Sequence, residues 1–201
     1  MTVTTLTLDD YKKAAADLGV SVAAVRAVAS VETKGAGFLP DGVRPVILFE
    51  RHIMRRQLVS NGLPGDAQHF AMTQPDIVNA TPGGYSNKAG EWDRLARAIT
   101  IHRPSAIESA SWGIFQIMGF HWKLMGYASA QAFLNAMYSG AGAHLDAFIR
   151  FVKANPNLIR ALRALDFAAF ASGYNGKDYA INKYDTKMRD AFITYSKEQA
   201  A

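Results

Sequence analysis

The stretch Ser21–Gly35, SVAAVRAVASVETKG, puts a carboxylate where a helix rarely carries one. Its composition predicts a helix with Lys34 in the last turn and Gly35 closing it in the left-handed conformation. At about 100° per residue, Glu32 falls within roughly 20° of Val25 and 40° of Val28 around that helix. Glu32 therefore lies inside the apolar stripe of Val22, Val25, Val28 and Ala29, and that stripe demands a core to lie against. The charged form of such a carboxylate is disfavoured twice: burial strips its water, and the negative end of the helix dipole repels it. Both effects favour the protonated form, which suits a general acid working near neutral pH. The competing reading is a glutamate reaching past its neighbours to water or to Lys34.

A chain of 201 residues, 49% hydrophobic and 19% charged, suits one domain with a sizeable core, and residues 1–201 are read as a single domain. No apolar run approaches the roughly 18 residues of a membrane span. The opening MTVTTLTLDDYKK lacks a basic segment followed by an apolar one, so no cleavable signal peptide is expected. The absence of cysteine removes disulfides and thiol chemistry. A net charge of +5 favours polyanionic partners: nucleic acid, anionic lipid or an acidic cell-wall polymer. The excess is dispersed, with Arg51, Arg55 and Arg56 its densest group, and this disfavours nucleic acid.

Along the chain, Thr7 followed by LDDYKKAAADLG predicts a first helix ending at Gly19. After the Glu32 helix, Pro40-Asp41-Gly42 marks a turn between Gly37–Leu39 and Pro45–Phe49, a small hairpin and the only β-structure expected. RHIMRRQLVSNG then reads as helix, and Leu63 to Gly90 as a long irregular segment rich in Pro and Gly. EWDRLARAITIH is amphipathic, and Pro104 opens a further helix. Helices are expected over 130–137, 143–154, 158–165, 167–172 and 179–196, the last docking its apolar face onto the core. The expected class is α+β, mostly α-helical, with the hairpin beside the active helix.

The five histidines show no metal-ligand spacing, and neither a Gly-x-Ser-x-Gly elbow nor a phosphate-binding glycine loop occurs, so no metal and no cofactor are expected. The carboxylates Glu32, Asp41, Glu50 and Glu108 remain as candidates. Glycoside cleavage needs an acid at the leaving oxygen and usually a second, ionised carboxylate. Glu50 follows the apolar run VILF and can point across a cleft towards Glu32; an ion pair with a neighbouring arginine is its alternative. Asp41 reads as turn chemistry and Glu108 as a surface helix residue.

Three strings occur in order: ASVETKGAGF, SASWGIFQIMGF and SGYNG. Together they resemble the lysozyme-like superfamily, with its goose-type lysozymes and soluble lytic transglycosylases. The fuller strings GFLPDGVRPVILFERH, ASWGIFQIMGF and SGYNGKDYAINKYDTKM resemble most closely the N-acetylmuramidase domain of phage endolysins, over about Ala24 to Ala191. The resemblance implies a lysozyme-like fold and hydrolysis of the β-1,4 bond between N-acetylmuramic acid and N-acetylglucosamine in peptidoglycan. It implies Glu32 as catalytic acid, Gln116 lining the cleft with its amide on sugar groups, and Tyr174 and Asn175 beside the scissile sugar. Trp112 or Phe120 would stack on sugar rings, with core packing as the alternative. Glu50 would activate water or stabilise the transition state. The chain is expected to act on peptidoglycan as a monomer, without a separate peptidoglycan-binding module, aided by salt-sensitive attraction of its positive charge to an anionic envelope. The enzyme would be made in the host cytoplasm and reach the wall through a holin-type pore. A lytic transglycosylase leaving 1,6-anhydro ends and a non-catalytic wall-binding protein are the rivals.

Overall fold

Caps fix the corner from which the active helix departs. In the computed structural model, which describes residues 3–33 and 36–200, Thr7 and Asp10 form a capping box at the start of α1 (Leu8–Leu18). Gly19 ends α1 in the left-handed conformation, φ 66°, and Ser21 caps α2 (Val22–Glu32) by accepting from Ala24 N–H. Glu32 is the last residue of α2 and Thr33 leaves it extended; the expected roles of Lys34 and Gly35 lie outside the described residues.

The stripe read from the sequence is buried: Val25, Val28, Ala29 and Glu32 are all inaccessible or nearly so. Ala23 and Ala27, on the opposite side of α2, are buried as well. There α10 (Tyr184–Ala200) packs along α2, and Arg26 pairs with Glu198 at 2.9 Å and lies over the Tyr195 ring. The C-terminal helix thus backs α2, as its amphipathic face requires.

β1 (Ile47–Phe49) departs from the expected hairpin. Gly37–Leu39 and Pro45–Phe49 meet only at the Phe38–Pro45 bridge, with Leu39 N–H on Arg44 O and Val46 N–H on Gly37 O. Pro45 has no N–H with which to extend that ladder. β1 instead pairs antiparallel with β2 (Ala110–Trp112), and β2 with β3 (Ile117–Met118), giving the order β1-β2-β3. SASWGIFQIM carries no strand signal of its own, because pieces this short show no alternation.

Between the strands run α3 (Arg51–Ser60), α4 (Pro64–Thr73) and α5 (Lys88–Glu108). The segment expected to be irregular therefore begins as a helix: Pro64 stands in its first turn, where the missing N–H costs nothing. The remainder is irregular and is held by Arg51, whose guanidinium donates to the carbonyls of Pro75, Thr81 and Pro82. α5 kinks at His102 (φ −158°, ψ 107°), just before Pro104. The rest of the core is closed by α6 (Ala130–Met137), α7 (Ala141–Lys153), α8 (Pro156–Arg163) and α9 (Phe167–Asn175).

A buried ion pair finishes the outer edge of the sheet. Glu91 and Arg94 meet at 2.9 Å; Glu91 accepts from Phe49 N–H, and Arg94 donates to the carbonyls of Phe49 and Asp76. Both main-chain groups of an edge residue, and the loop beyond it, are thereby satisfied. Replacing Glu91 by Ala strands a buried guanidinium and is expected to cost about 3–5 kcal/mol. In urea unfolding, Glu91→Leu combined with Arg94→Met should recover part of that loss.

Candidate active site

Three chain segments converge on Glu32. The first is the end of α2 itself, where Glu32 is 3% exposed. The second is the end of α9. Asp166 caps this helix through Ala169 N–H, and Gly176, at φ 79°, lets the chain leave it, so Tyr174 and Asn175 fall in its last turn. Asn175 Nδ2 donates to Glu32 Oε1 at 2.8 Å. The Tyr174 ring stacks on Phe170 and meets Phe148 and Phe151 edge-on, while its hydroxyl donates to Phe115 O at 3.3 Å. Burial, with the charge of Glu32 adding to it, pushes the Tyr174 pKa far up, so the phenol stays protonated.

The third segment is the turn joining β2 and β3. Gln116 adopts a left-handed backbone, φ 49°, at a cost of about 1–2 kcal/mol for a residue with a side chain. Its amide secures that geometry: Nε2 donates to Gly113 O at 2.8 Å and Val46 O at 3.3 Å, and Oε1 accepts from Ser111 Oγ at 2.9 Å. Gln116 lines the cavity as expected, but both ends of its amide brace the hairpin. Beneath the turn, Ile114 N–H donates to His144 Nδ1 at 3.2 Å, so the proton of the neutral ring is on Nε2, which donates to Met137 O at 2.8 Å. A side chain at Gly113 would run into that imidazole.

These segments enclose a cavity of about 310 Å³. Glu32, Gln116, His121, Tyr174 and Asn175 supply its polar lining; Phe115, Ile117, Met118 and Phe151 supply the apolar part. A larger cavity, about 630 Å³, lies on the Ile114 side of the hairpin and includes Thr33, Phe38, Leu39 and Lys88, but no described residue in its lining is a carboxylate or a histidine. Of these two cavities, only the smaller brings a carboxylate and a histidine together among the described residues. No group of His, Cys, Asp or Glu among the described residues is arranged to hold a metal ion.

The other sequence candidates lie elsewhere. Glu50 is outside the cavity lining, accepts from the Tyr85 hydroxyl at 3.0 Å and pairs with His52 Nδ1 at 3.2 Å. These two stand where the alternative reading placed an arginine. Trp112 is 1% exposed, donates to Ile107 O, and sets its ring edge-on to Trp92 and Phe133. It is a core residue, and the expectation that it stacks on sugar is corrected. Phe120 lies under the Arg56 guanidinium. Glu108 is buried rather than on the surface, bonded by Asn61 and by Trp122 Nε1. Asp41 is turn chemistry, as expected: the Arg44 and Val43 N–H groups and the Arg44 guanidinium lower its pKa to about 2. Sequence reasoning missed His121, Met118 and Phe151. The density of aromatics around residues 112–122 pointed to the segment, but not to which face opens on the cavity.

A buried glutamate closing a helix, held by an amide from a second helix end, stands beside a small antiparallel sheet in a mostly helical chain, the layout of a lysozyme-like fold. The sequence pattern of the N-acetylmuramidase family matches residues 21–196, and the chain belongs to that family. It is a muramidase of the endolysin type, a peptidoglycan hydrolase. The crystal structure of the Burkholderia AP3 phage endolysin is similar, with a TM-score of 0.91 at 50% identity, over 96% of this chain and 73% of that one. No curated protein matches.

Loss of the Asn175 donor leaves the Glu32 carboxylate less well oriented. Asn175→Ala should lower turnover about ten- to a hundredfold, the range for one hydrogen bond to a charged group, with the thermal midpoint little changed. Burial lowers the His144 pKa, with the Met137 carbonyl opposing. The unfolded chain therefore takes up the proton first, so stability is full above the ordinary histidine range and declines as pH falls through it. Urea midpoints at pH 7.5 and 5.5 should differ, and less so in His144→Gln; His121, shifted in the same direction, retains part of the slope.

Proposed function

We propose that the chain hydrolyses the β-1,4 bond between N-acetylmuramic acid and N-acetylglucosamine, with Glu32 protonating the leaving oxygen. The observation carrying this reading is the buried Glu32 carboxylate held by Asn175 at the wall of the cavity. As the C1–O bond breaks, the leaving oxygen takes the Glu32 proton and positive charge spreads over C1 and the ring oxygen. The resulting Glu32 carboxylate then removes a proton from the attacking water, leaving a reducing muramic acid end. Glu32 acts as acid and then base because no second carboxylate stands among the described residues of the lining. Tyr174 and Asn175 position Glu32 and the adjacent sugar, and Gln116 holds the hairpin wall in register.

A second reading gives the water-activating step to Glu50. It is favoured by position: Glu50 continues the alternation of Leu48, which pairs through Ser111 with Met118, a residue of the cavity.

The substrate places the enzyme at the cell wall; passage through a separate pore-forming protein is part of the proposal, as is action as a monomer. The net charge of +5 draws it to the anionic envelope. Dye release from purified sacculi tests the assignment. Glu32→Gln should lower the rate about 10²–10⁴-fold. Glu50→Gln should stay within a few-fold of wild type; a loss as deep as that of Glu32→Gln would move the base to Glu50.

A further inference from the structure

His121 lines the same cavity as Glu32, and none of the roles assigned above uses it. It belongs to the 3₁₀ turn Gly119–His121 that follows β3, where its own carbonyl accepts from Met125 N–H. Its ring is held from two sides: Phe120 packs at 4.2 Å between centroids, and Phe151 meets it edge-on at 4.9 Å. Those contacts fix the plane of the imidazole. They are contacts a phenylalanine would make equally well.

The nitrogens are what a phenylalanine lacks. The ring is half-buried, yet neither nitrogen has a hydrogen bond to a described residue. His102 and His144, by contrast, have their ring nitrogens engaged by Ser105, Ile114 and Met137. Partly buried polar atoms require a partner, and those of His121 can find one on the cavity side, in water or in a ligand. Burial, reinforced by the Arg56 guanidinium beyond Phe120, keeps the ring neutral at neutral pH. A neutral imidazole offers one donor and one acceptor, the complement of a hydroxyl or an acetamido group.

We propose that His121 is a substrate-contacting residue, hydrogen-bonding an uncharged polar group of the glycan, a hydroxyl or an acetamido group, in the subsite bounded by Met118 and Phe151. This rests on the muramidase reading of the cavity. The aromatic cage around the ring sets its direction in advance, so the contact forms without freezing a free side chain. Its worth is that of one neutral hydrogen bond in a partly dry site.

Binding to a cleavage-deficient protein tests this separately from turnover. Glycan affinity is measured calorimetrically in the Glu32→Gln background, with and without His121→Phe or His121→Gln. The probes are tetra-N-acetylchitotetraose, which has no carboxylate, and peptide-free peptidoglycan strands, which carry lactyl carboxylates. His121→Phe should weaken both by about three- to tenfold at an unchanged thermal midpoint, and His121→Gln, which retains a donor and an acceptor, should recover part of the loss. Unchanged affinity in His121→Phe overturns the proposal. So does weakening confined to the carboxylate-bearing strands, or weakening that follows a fall in thermal midpoint and is not relieved by Gln. If wild type cuts no peptidoglycan, the hydrolytic reading fails while the binding comparison still decides the role of His121.

Discussion

A carboxylate buried at the negative end of a helix is unfavourable unless a donor reaches it, and here that donor is the Asn175 amide, 143 residues further along the chain. The contact joins two helix ends, and its geometry is only as exact as the placing of each. α2 is placed by the Ser21 cap and by α10 packed along its outer side. α9 is placed by the Asp166 cap and by a chain of rings running from Phe170 through Tyr174 to Phe148 and Phe115. Since Phe115 belongs to the β2–β3 turn, the same rings that position Asn175 also position the third wall of the cavity.

That third wall is a strained turn made rigid. Gln116 occupies a left-handed conformation, and its own amide, Ser111 and the His144 imidazole hold the hairpin around it. The polar groups of the site thus divide into those that open on the cavity and those that hold its wall. Glu32 faces the cavity; Gln116 commits its hydrogen bonds to the hairpin; Tyr174, kept protonated, anchors Phe115 while its ring packs inward. Preorganisation of this kind keeps an acid within reach of a leaving oxygen without reordering the site at each turnover.

Much of this was legible from local pattern. The stripe of Val25, Val28 and Glu32 foretold the burial of Glu32, because helical periodicity is a property of neighbouring residues. The resemblance of ASVETKG, GIFQ and SGYNG to known motifs singled out Glu32, Gln116, Tyr174 and Asn175, which the fold gathers around one cavity. What stayed hidden was the outcome of long-range competition. β1 pairs with residues 110–112, across more than sixty positions, rather than with the adjacent segment; only the tertiary fold reveals that choice. The same holds for Trp112, whose aromatic ring suits a sugar or a core equally well until its neighbours are known. For Glu50 the sequence offers a second carboxylate of the cleft or an arginine pair; the fold gives it Tyr85 and His52, which the irregular segment and the first turn of α3 bring to it.

The ends of the cut strands record whether the acid at the end of α2 performs hydrolysis. Mass spectrometry of digested, purified peptidoglycan, with wild type and Glu32→Gln side by side, reads those ends directly. Reducing muramic acid ends from wild type, absent from the variant, are the predicted result. Anhydro ends from wild type would contradict attack by water, and reducing ends undiminished in the variant would contradict Glu32 as the acid.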